Sequence, residues 1–154
     1  MGTRSLTYVY ENYKNEQGNK VEKPIICLYR QYDGYPVGHG AELADFLSSI
    51  YVVNGLGLQN EKKVANGMGC LAAQLIANFK TEAGNFYLHE PILGRDDWQE
   101  YEYHIQQDNI IVFGYDKEIF SGTWQQYFDW IAEQIQAEQN ENDLANKKLA
   151  VGGV

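Results

Sequence analysis

The chain reads PIICLYRQY from residue 24 to residue 32, and this stretch decides the fold. Residues 25–29 form an almost continuous apolar run, which is typical of a central strand covered on both faces. An earlier stretch, residues 6–13, is rich in Tyr, Thr and Val and predicts another strand. The polar segment between them contains Gly18 and is typical of a hairpin loop. We therefore predict that these two strands pair antiparallel.

The rest of the chain predicts helices and further strands in an irregular alternation. Apolar residues recur at helical spacing over residues 41–51, 62–80 and 123–138. Short strands are predicted over residues 86–89, 99–105, 110–115 and 117–120. Thr123 and Gln126 match a capping box that opens the last helix. The order ββααβββα indicates an α+β fold, a mainly antiparallel sheet of about five to six strands with three helices packed on it.

Length and composition fit one small domain. The chain has 154 residues, of which 44% are hydrophobic, and this is enough to form a core without disulfides or a metal. Polar residues dominate after Glu138, so we predict a single domain over residues 1–138 and a flexible tail over residues 139–154. The sequence contains neither an apolar signal core nor about 18 consecutive apolar residues. These features predict a cytoplasmic protein without membrane contact.

The charge of the chain restricts its partners. The formal net charge is −9 and the isoelectric point is near 4.7. A phosphate backbone repels such a surface unless the protein carries a local basic patch, so binding of DNA or RNA is not expected. A small anionic ligand is still compatible with this charge, because a pocket needs only a few well-placed donors.

The segment YRQYDGYPVGHG, residues 29–40, is the most unusual in the chain, because it joins the predicted central strand to a helix through several glycines. Free backbone N–H groups at a helix start attract anions, and Gly38 and Gly40 would let a ligand approach that backbone. Arg30 is predicted to clamp a phosphate or carboxylate. His39 is predicted to donate to a phosphate or to move a proton.

Aromatic residues complete the predicted site. Tyr32 and Tyr35 are expected to stack on a base or ring, and Arg4 is a candidate second cation. The sequence thus predicts a site for a small anionic, nucleotide-like ligand, formed by Arg4, Arg30, Tyr32, Tyr35, Gly38, His39 and Gly40. We expect Arg30→Ala to abolish ligand binding while the melting curve stays close to wild type.

Three alternatives stay open. The segment is only a turn in the first, with Arg30 paired to Asp33 or Glu42 and His39 capping the helix. In the second, the protein is a phosphoester hydrolase that uses His39 as acid–base and Asp33 to orient it. In the third, it is a non-catalytic interaction module that holds a partner on an aromatic surface. The glycine spacing matches neither a Walker loop nor a dinucleotide fingerprint.

No metal or cofactor is predicted. Glu102 and His104 would be neighbours on one strand face, where such groups can bind a divalent metal, but a polar strand face predicts the same residues. Cys27 and Cys70 lie in apolar runs and their separation fits no zinc pattern, so both are interpreted as core residues.

The opening residues MGTRSLT and the YRQYDGYPxGHG motif of residues 29–40 resemble a group of small proteins from phage genomes and scattered bacterial ones. The segment NGMGCLAA, residues 66–73, is similar to part of the same pattern. The resemblance carries no established activity. It implies a phage or mobile-element origin, a bacterial host cytoplasm and, by analogy, a counter-defence role in which the protein sequesters a nucleotide messenger of host immunity. Two facing sites in a homo-oligomer would suit such a sponge.

Overall fold

The computed structural model describes residues 2–55 and 63–152. Their strands are β1 (Ser5–Lys14), β2 (Lys20–Arg30), β3 (Ile50–Val53), β4 (Lys63–Asn66), β5 (Phe86–His89), β6 (Tyr101–Gln106), β7 (Asn109–Gly114) and β8 (Lys117–Thr123). Their helices are α1 (Ala41–Ser48), α2 (Gly67–Phe79) and α3 (Trp124–Gly152), with a π-helix over Pro36–Gly40 that runs directly into α1. The predicted α+β class is confirmed.

The main sheet has six strands in the order β5-β2-β1-β6-β7-β8. Every neighbouring pair is antiparallel except β1 and β6, which are parallel. The predicted hairpin of β1 and β2 is confirmed, and Tyr8 lies opposite Cys27 in it. On its other side Tyr8 pairs with His104 of β6. The centre of the sheet is therefore β1 and β6, with β2 one strand in from the edge.

The helices pack on one face of this sheet and form the main core. Alternate residues of β1, β6 and β7 point toward them, as the pleat of a strand requires. The buried side chains of this core include Val9, Leu28, Leu43, Leu71, Leu75, Tyr103, Ile105, Ile110, Val112 and Tyr127. A smaller cluster of Leu6, Tyr8 and Cys27 lies on the opposite face. A loop contacts that second cluster, because the Tyr8 hydroxyl donates to the Ile92 carbonyl over 3.0 Å.

A small second sheet was not predicted. β3 and β4 pair in parallel, so the helix predicted over residues 41–51 ends at Ser48, and the one predicted over residues 62–80 begins only at Gly67. Gly67 has a φ of 83°, which is left-handed backbone that a continuous helix cannot contain. Lys62, where the predicted helix begins, lies outside the described residues.

The last helix begins as predicted and then runs further. The Thr123 amide donates to the Gln126 side chain over 2.9 Å, and the Gln126 amide donates to the Thr123 hydroxyl over 3.1 Å, which confirms the capping box. α3 continues to Gly152, and every residue from 136 to 151 is exposed. The predicted flexibility of residues 139–154 stays a prediction, and residues 153 and 154 lie outside the described part. Within that part, no helix has the length and apolarity to cross a membrane.

Candidate functional site

His39 lies in the core, where its ring is completely enclosed. Its Nδ1 is 3.1 Å from the Arg30 guanidinium and its Nε2 is 2.7 Å from the Thr7 hydroxyl. Because a guanidinium is always protonated and only donates, Nδ1 must accept, and Nε2 carries the proton and donates to Thr7. His39 is therefore neutral and fully hydrogen-bonded. The structure thus places this predicted ligand residue in the core, where its ring has no solvent-accessible surface.

The burial of His39 predicts a pH dependence of folding. Burial, together with the Arg30 charge, lowers the pKa of His39 to about 3. The unfolded chain takes up this proton below about pH 6.5 and the folded chain does not, so acid favours unfolding. The free energy of unfolding should fall by up to about 1.4 kcal/mol per pH unit between pH 6 and 5 and be level above pH 7. Urea unfolding across this range measures it.

A conservative variant isolates this effect from the other titrating groups. The amide of His39→Gln has an oxygen to accept from Arg30 and an NH₂ to donate to Thr7, but it does not titrate. His89 and His104 are present in both proteins. The free energy of unfolding of the variant should be nearly constant between pH 5 and 7. If the wild type and the variant instead lose stability in parallel as the pH falls, His39 is not the group responsible.

Arg30 connects several elements around His39 through its side chain. It is buried, its Nε donates to the Tyr32 carbonyl over 2.6 Å, and its guanidinium lies 4.9 Å from the Phe86 ring centre. It also forms an ion pair with the half-exposed Glu42, one of the pairings that the turn alternative predicted. Its charge is therefore compensated within the protein.

The predicted anion site at the helix start is filled by the protein itself. The Gly38 and Gly40 amides donate to the Tyr35 carbonyl, and the His39 amide donates to the Asp33 carbonyl over 2.8 Å. A Cβ at Gly38 would lie 2.5 Å from that Asp33 oxygen. At Gly40 it would lie 3.1 Å from the Tyr127 hydroxyl. These glycines therefore admit protein atoms where a ligand was expected.

The other predicted residues are spread over the surface. Tyr32 is half exposed and its ring lies against Gly2, where an added Cβ would be 2.3 Å away. The Arg4 amide donates to the Glu100 carboxylate over 2.7 Å at the start of β1. The Asp33 carboxylate contacts the Tyr35 hydroxyl, and the imidazole of His39 bonds other partners. The dyad of the hydrolase alternative is not formed.

Two His–carboxylate pairs and Cys27 lie on the sheet face opposite the helices. His89 Nδ1 is 2.9 Å from the Asp97 carboxylate, and Cys27 lies opposite His89 in the strand register. Burial raises the pKa of the Cys27 thiol to about 11, so this cysteine is not an activated nucleophile. His104 Nε2 is 2.9 Å from Glu102. Among the described residues, no three His, Cys, Asp or Glu side chains are placed to hold a metal ion.

One cavity lies beside Arg30. Its volume is about 500 Å³ and most of its wall is polar. It is lined by Arg30, Glu42, Asp45, Phe46, Ser49, Lys63, Asn78, Phe79, Thr81, Glu82, Asn85 and Phe86. The three carboxylates in this wall outnumber the two cations, so its local charge does not favour an anion.

A second cavity, which we call the aromatic groove, lies between α3, the β7–β8 hairpin and the residues that precede α1. Its volume is about 550 Å³, which falls in the range of about 300–1,000 Å³ typical of ligand sites. It is lined by Tyr35, Pro36, Val37, Tyr101, Gly114, Tyr115, Ile119, Trp130, Gln134, Ala137, Glu138 and Glu141. Tyr35 is the residue that this groove shares with the site predicted from the sequence.

Tyr115 stands in the groove at a conformational cost. Tyr115 and Asp116 are the two central residues of the β7–β8 turn, with φ of 50° and 65°. This is the primed hairpin turn that Asn-Gly adopts easily, whereas a bulky residue there is an outlier. Tyr115 is also 68% exposed, and its ring meets that of Tyr101 edge to face at 5.5 Å. Strain of this kind is concentrated at functional sites.

Sequence reasoning missed most of the groove. Trp130 was not singled out, because it lies beside an apolar helix stripe that already accounts for the core. The sequence did contain one signal for the groove. Tyr115-Asp116 lies between two apolar strands, in a two-residue turn where Asn-Gly is favoured, so a tyrosine there is unusual. Comparison with family models, curated proteins and solved structures finds no match for this chain.

Proposed function

We propose that this chain is a non-catalytic binding protein whose ligand site is the aromatic groove. The observation that carries the proposal is a cavity of about 550 Å³ walled by Tyr35, Tyr101, Tyr115 and Trp130. Aromatic walls supply a large contact area from rigid side chains, which is how ligand pockets obtain affinity. The proposal belongs to the same class as the interaction module that the sequence left open.

Three further observations support binding over catalysis. The imidazole of His39 and the thiol of Cys27 are both completely buried, so neither touches a ligand in this conformation. The groove, by contrast, contains tyrosine, tryptophan and carboxylate groups that recognise a ligand without a covalent step. Tyr115 keeps an aromatic ring at a strained position, which is understandable if the ring contacts a ligand.

The variant Tyr115→Asn tests whether the strain at Tyr115 lowers stability while its ring contributes to ligand binding. Asparagine is tolerated at positive φ, so the free energy of unfolding should rise by up to about 1 kcal/mol. The same change removes one wall of the groove. We expect fragments that bind the wild-type protein, found by ligand-observed NMR with a library of both charge signs, to lose about tenfold in affinity.

The control is Lys63→Gln, which alters the cavity beside Arg30 and leaves the groove intact. Fragment binding should survive this change. If fragments instead lose affinity in Lys63→Gln and keep it in Tyr115→Asn, the ligand site is the Arg30 cavity and the groove assignment is wrong.

A small anionic, nucleotide-like ligand in the Arg30 cavity is the second candidate function. The observation behind it is that Arg30 and Lys63 both line this cavity, although its three carboxylates outnumber them. Such an anion would have to displace Glu42 from Arg30, because these two residues form an ion pair. Glu42→Gln should therefore increase affinity for inorganic phosphate or adenosine monophosphate, and unchanged affinity would count against this candidate.

A further inference from the structure

We propose that the aromatic groove recognises an alkylammonium head group. This inference rests on the proposed function, because it names the ligand chemistry of the same groove. Its basis is that aromatic rings and carboxylates line one cavity, and the residues that supply them are Tyr35, Tyr101, Tyr115, Trp130, Glu138 and Glu141.

The rings provide the first half of this recognition. Tyr101 and Tyr115 meet edge to face, so they form two adjoining walls at an angle of 64°. Trp130 and Tyr35 line the same cavity, and Phe120 stacks on Trp130 with ring centres 5.0 Å apart. A cation within about 6 Å of such ring centres is attracted by their π faces, and a set of angled rings surrounds a methylated ammonium well.

Carboxylates provide the second half. Glu138 and Glu141 project from successive turns of α3 and line the groove, and no Lys or Arg is among the described residues that line it. Tyr35 also experiences the charge of nearby carboxylates. The carboxylate of Asp33, which does not line the groove, followed by burial and by Glu138, raises the pKa of the Tyr35 hydroxyl above its ordinary value, and the Arg30 charge opposes this shift. A negative potential of this kind favours a cation and disfavours a phosphate.

The size of the cavity fits a head group that belongs to a larger ligand. A volume of about 550 Å³ is more than one trimethylammonium group fills, so the rest of the ligand would occupy the remaining length of the groove. The net charge of −9 adds a long-range attraction for any cationic partner. The head group alone should therefore bind weakly and measurably, in the millimolar range typical of very small ligands.

The test compares choline with 3,3-dimethyl-1-butanol, which has the same shape without the charge. Both are titrated into the full chain and followed by protein NMR. Choline should bind at least about tenfold more tightly than the neutral analogue, because the attraction of the rings and carboxylates acts on charge. The double variant Glu138→Gln, Glu141→Gln should weaken choline binding about threefold or more and reduce its dependence on salt. The matched control is Glu133→Gln, an exposed residue of the same helix that does not line the groove.

The outcomes separate this inference from the proposed function. Equal affinities for choline and the neutral analogue overturn the ammonium inference and leave the groove as a binding site. Binding of choline that is unaffected by the double variant and by Tyr115→Asn also overturns it, because the cation then binds elsewhere.

A trimethyllysine peptide titrated in parallel identifies the source of the head group. A lower Kd than that of choline assigns the head group to a protein partner, and an equal or higher Kd assigns it to a small molecule, so both support the ammonium chemistry.

Discussion

Replacing Arg30 with alanine is expected to lower the free energy of unfolding by about 3 kcal/mol. The change removes the donor that fixes His39 Nδ1 and the donor to the Tyr32 carbonyl, and it opens a void against Phe86. His39 would then keep a buried acceptor without a partner, which is costlier than the loss of one exposed bond. Urea unfolding at pH 7 measures the change.

This expectation differs from the one based on the sequence, in which Arg30→Ala abolishes ligand binding and leaves the melting curve close to wild type. The matched control is Glu42→Gln, which alters the ion pair at its half-exposed end and should cost less than about 1 kcal/mol. If Arg30→Ala and Glu42→Gln destabilise the protein equally little, Arg30 is not a structural residue. The assignment of the buried Arg30–His39–Thr7 chain would then have to be abandoned.

The second large effect is expected at Gly38, where alanine should destabilise the protein by about 2 kcal/mol or more. The added Cβ would stand 2.5 Å from the Asp33 carbonyl oxygen and 3.0 Å from the Tyr35 ring. That carbonyl oxygen accepts from the His39 amide, so the backbone of the turn cannot shift without breaking this bond. The thermal midpoint and the urea midpoint should both fall.

Gly69→Ala is the matched control for this substitution. Gly69 lies in α2 and nothing is within 4 Å of the position that its Cβ would occupy. Alanine there should stabilise the protein by about 0.5–1 kcal/mol, because it favours the helix. If Gly38→Ala is as stable as wild type, the turn is looser than its close contacts imply and Gly38 regains a role in ligand approach.

Local patterns predicted much of the fold. The Tyr- and Val-rich run of β1, the apolar run of β2 and the loop around Gly18 specify a hairpin from contacts close in sequence. The capping box at Thr123 depends on only four residues, and its two hydrogen bonds form as predicted. Such features are decided by neighbouring residues, so a single sequence contains the information they need.

Features that depend on distant partners were not predictable in this way. The parallel pairing of β1 with β6 joins residues about a hundred positions apart, and no local pattern of either strand specifies it. β3 and β4 are four-residue strands next to helices. Their apolar residues continue the spacing of the neighbouring helices, so the predicted helices were extended over them. Gly67 was the signal against that interpretation.

The candidate site shows the same limit. The motif of residues 29–40 was singled out as a ligand site, but its polar groups bond to other groups of the protein, both within the motif and outside it at Thr7 and Glu42. His39 could bind a ligand or a group of the protein, and in the structure it hydrogen-bonds Thr7. The choice depends on packing across the sheet, which residue types alone do not reveal. Tyr35 was assigned to ring binding on the basis of its chemistry, and it lines the aromatic groove. Its partners Tyr115 and Trp130 come from the other end of the chain.

Indole NMR of the full chain labelled with ¹⁵N-tryptophan tests the central claim most directly. The protein has three tryptophans, and they report on different places. Trp130 lines the groove, Trp98 is exposed in a loop, and the Trp124 indole donates to the carbonyls of Gln106 and Asn109. A Trp130→Phe variant assigns the groove resonance. On titration with the tightest-binding fragment, the Trp130 resonance should move and saturate while those of Trp98 and Trp124 stay in place. A Trp130 resonance that does not move at saturating fragment would contradict the assignment of the aromatic groove as the ligand site.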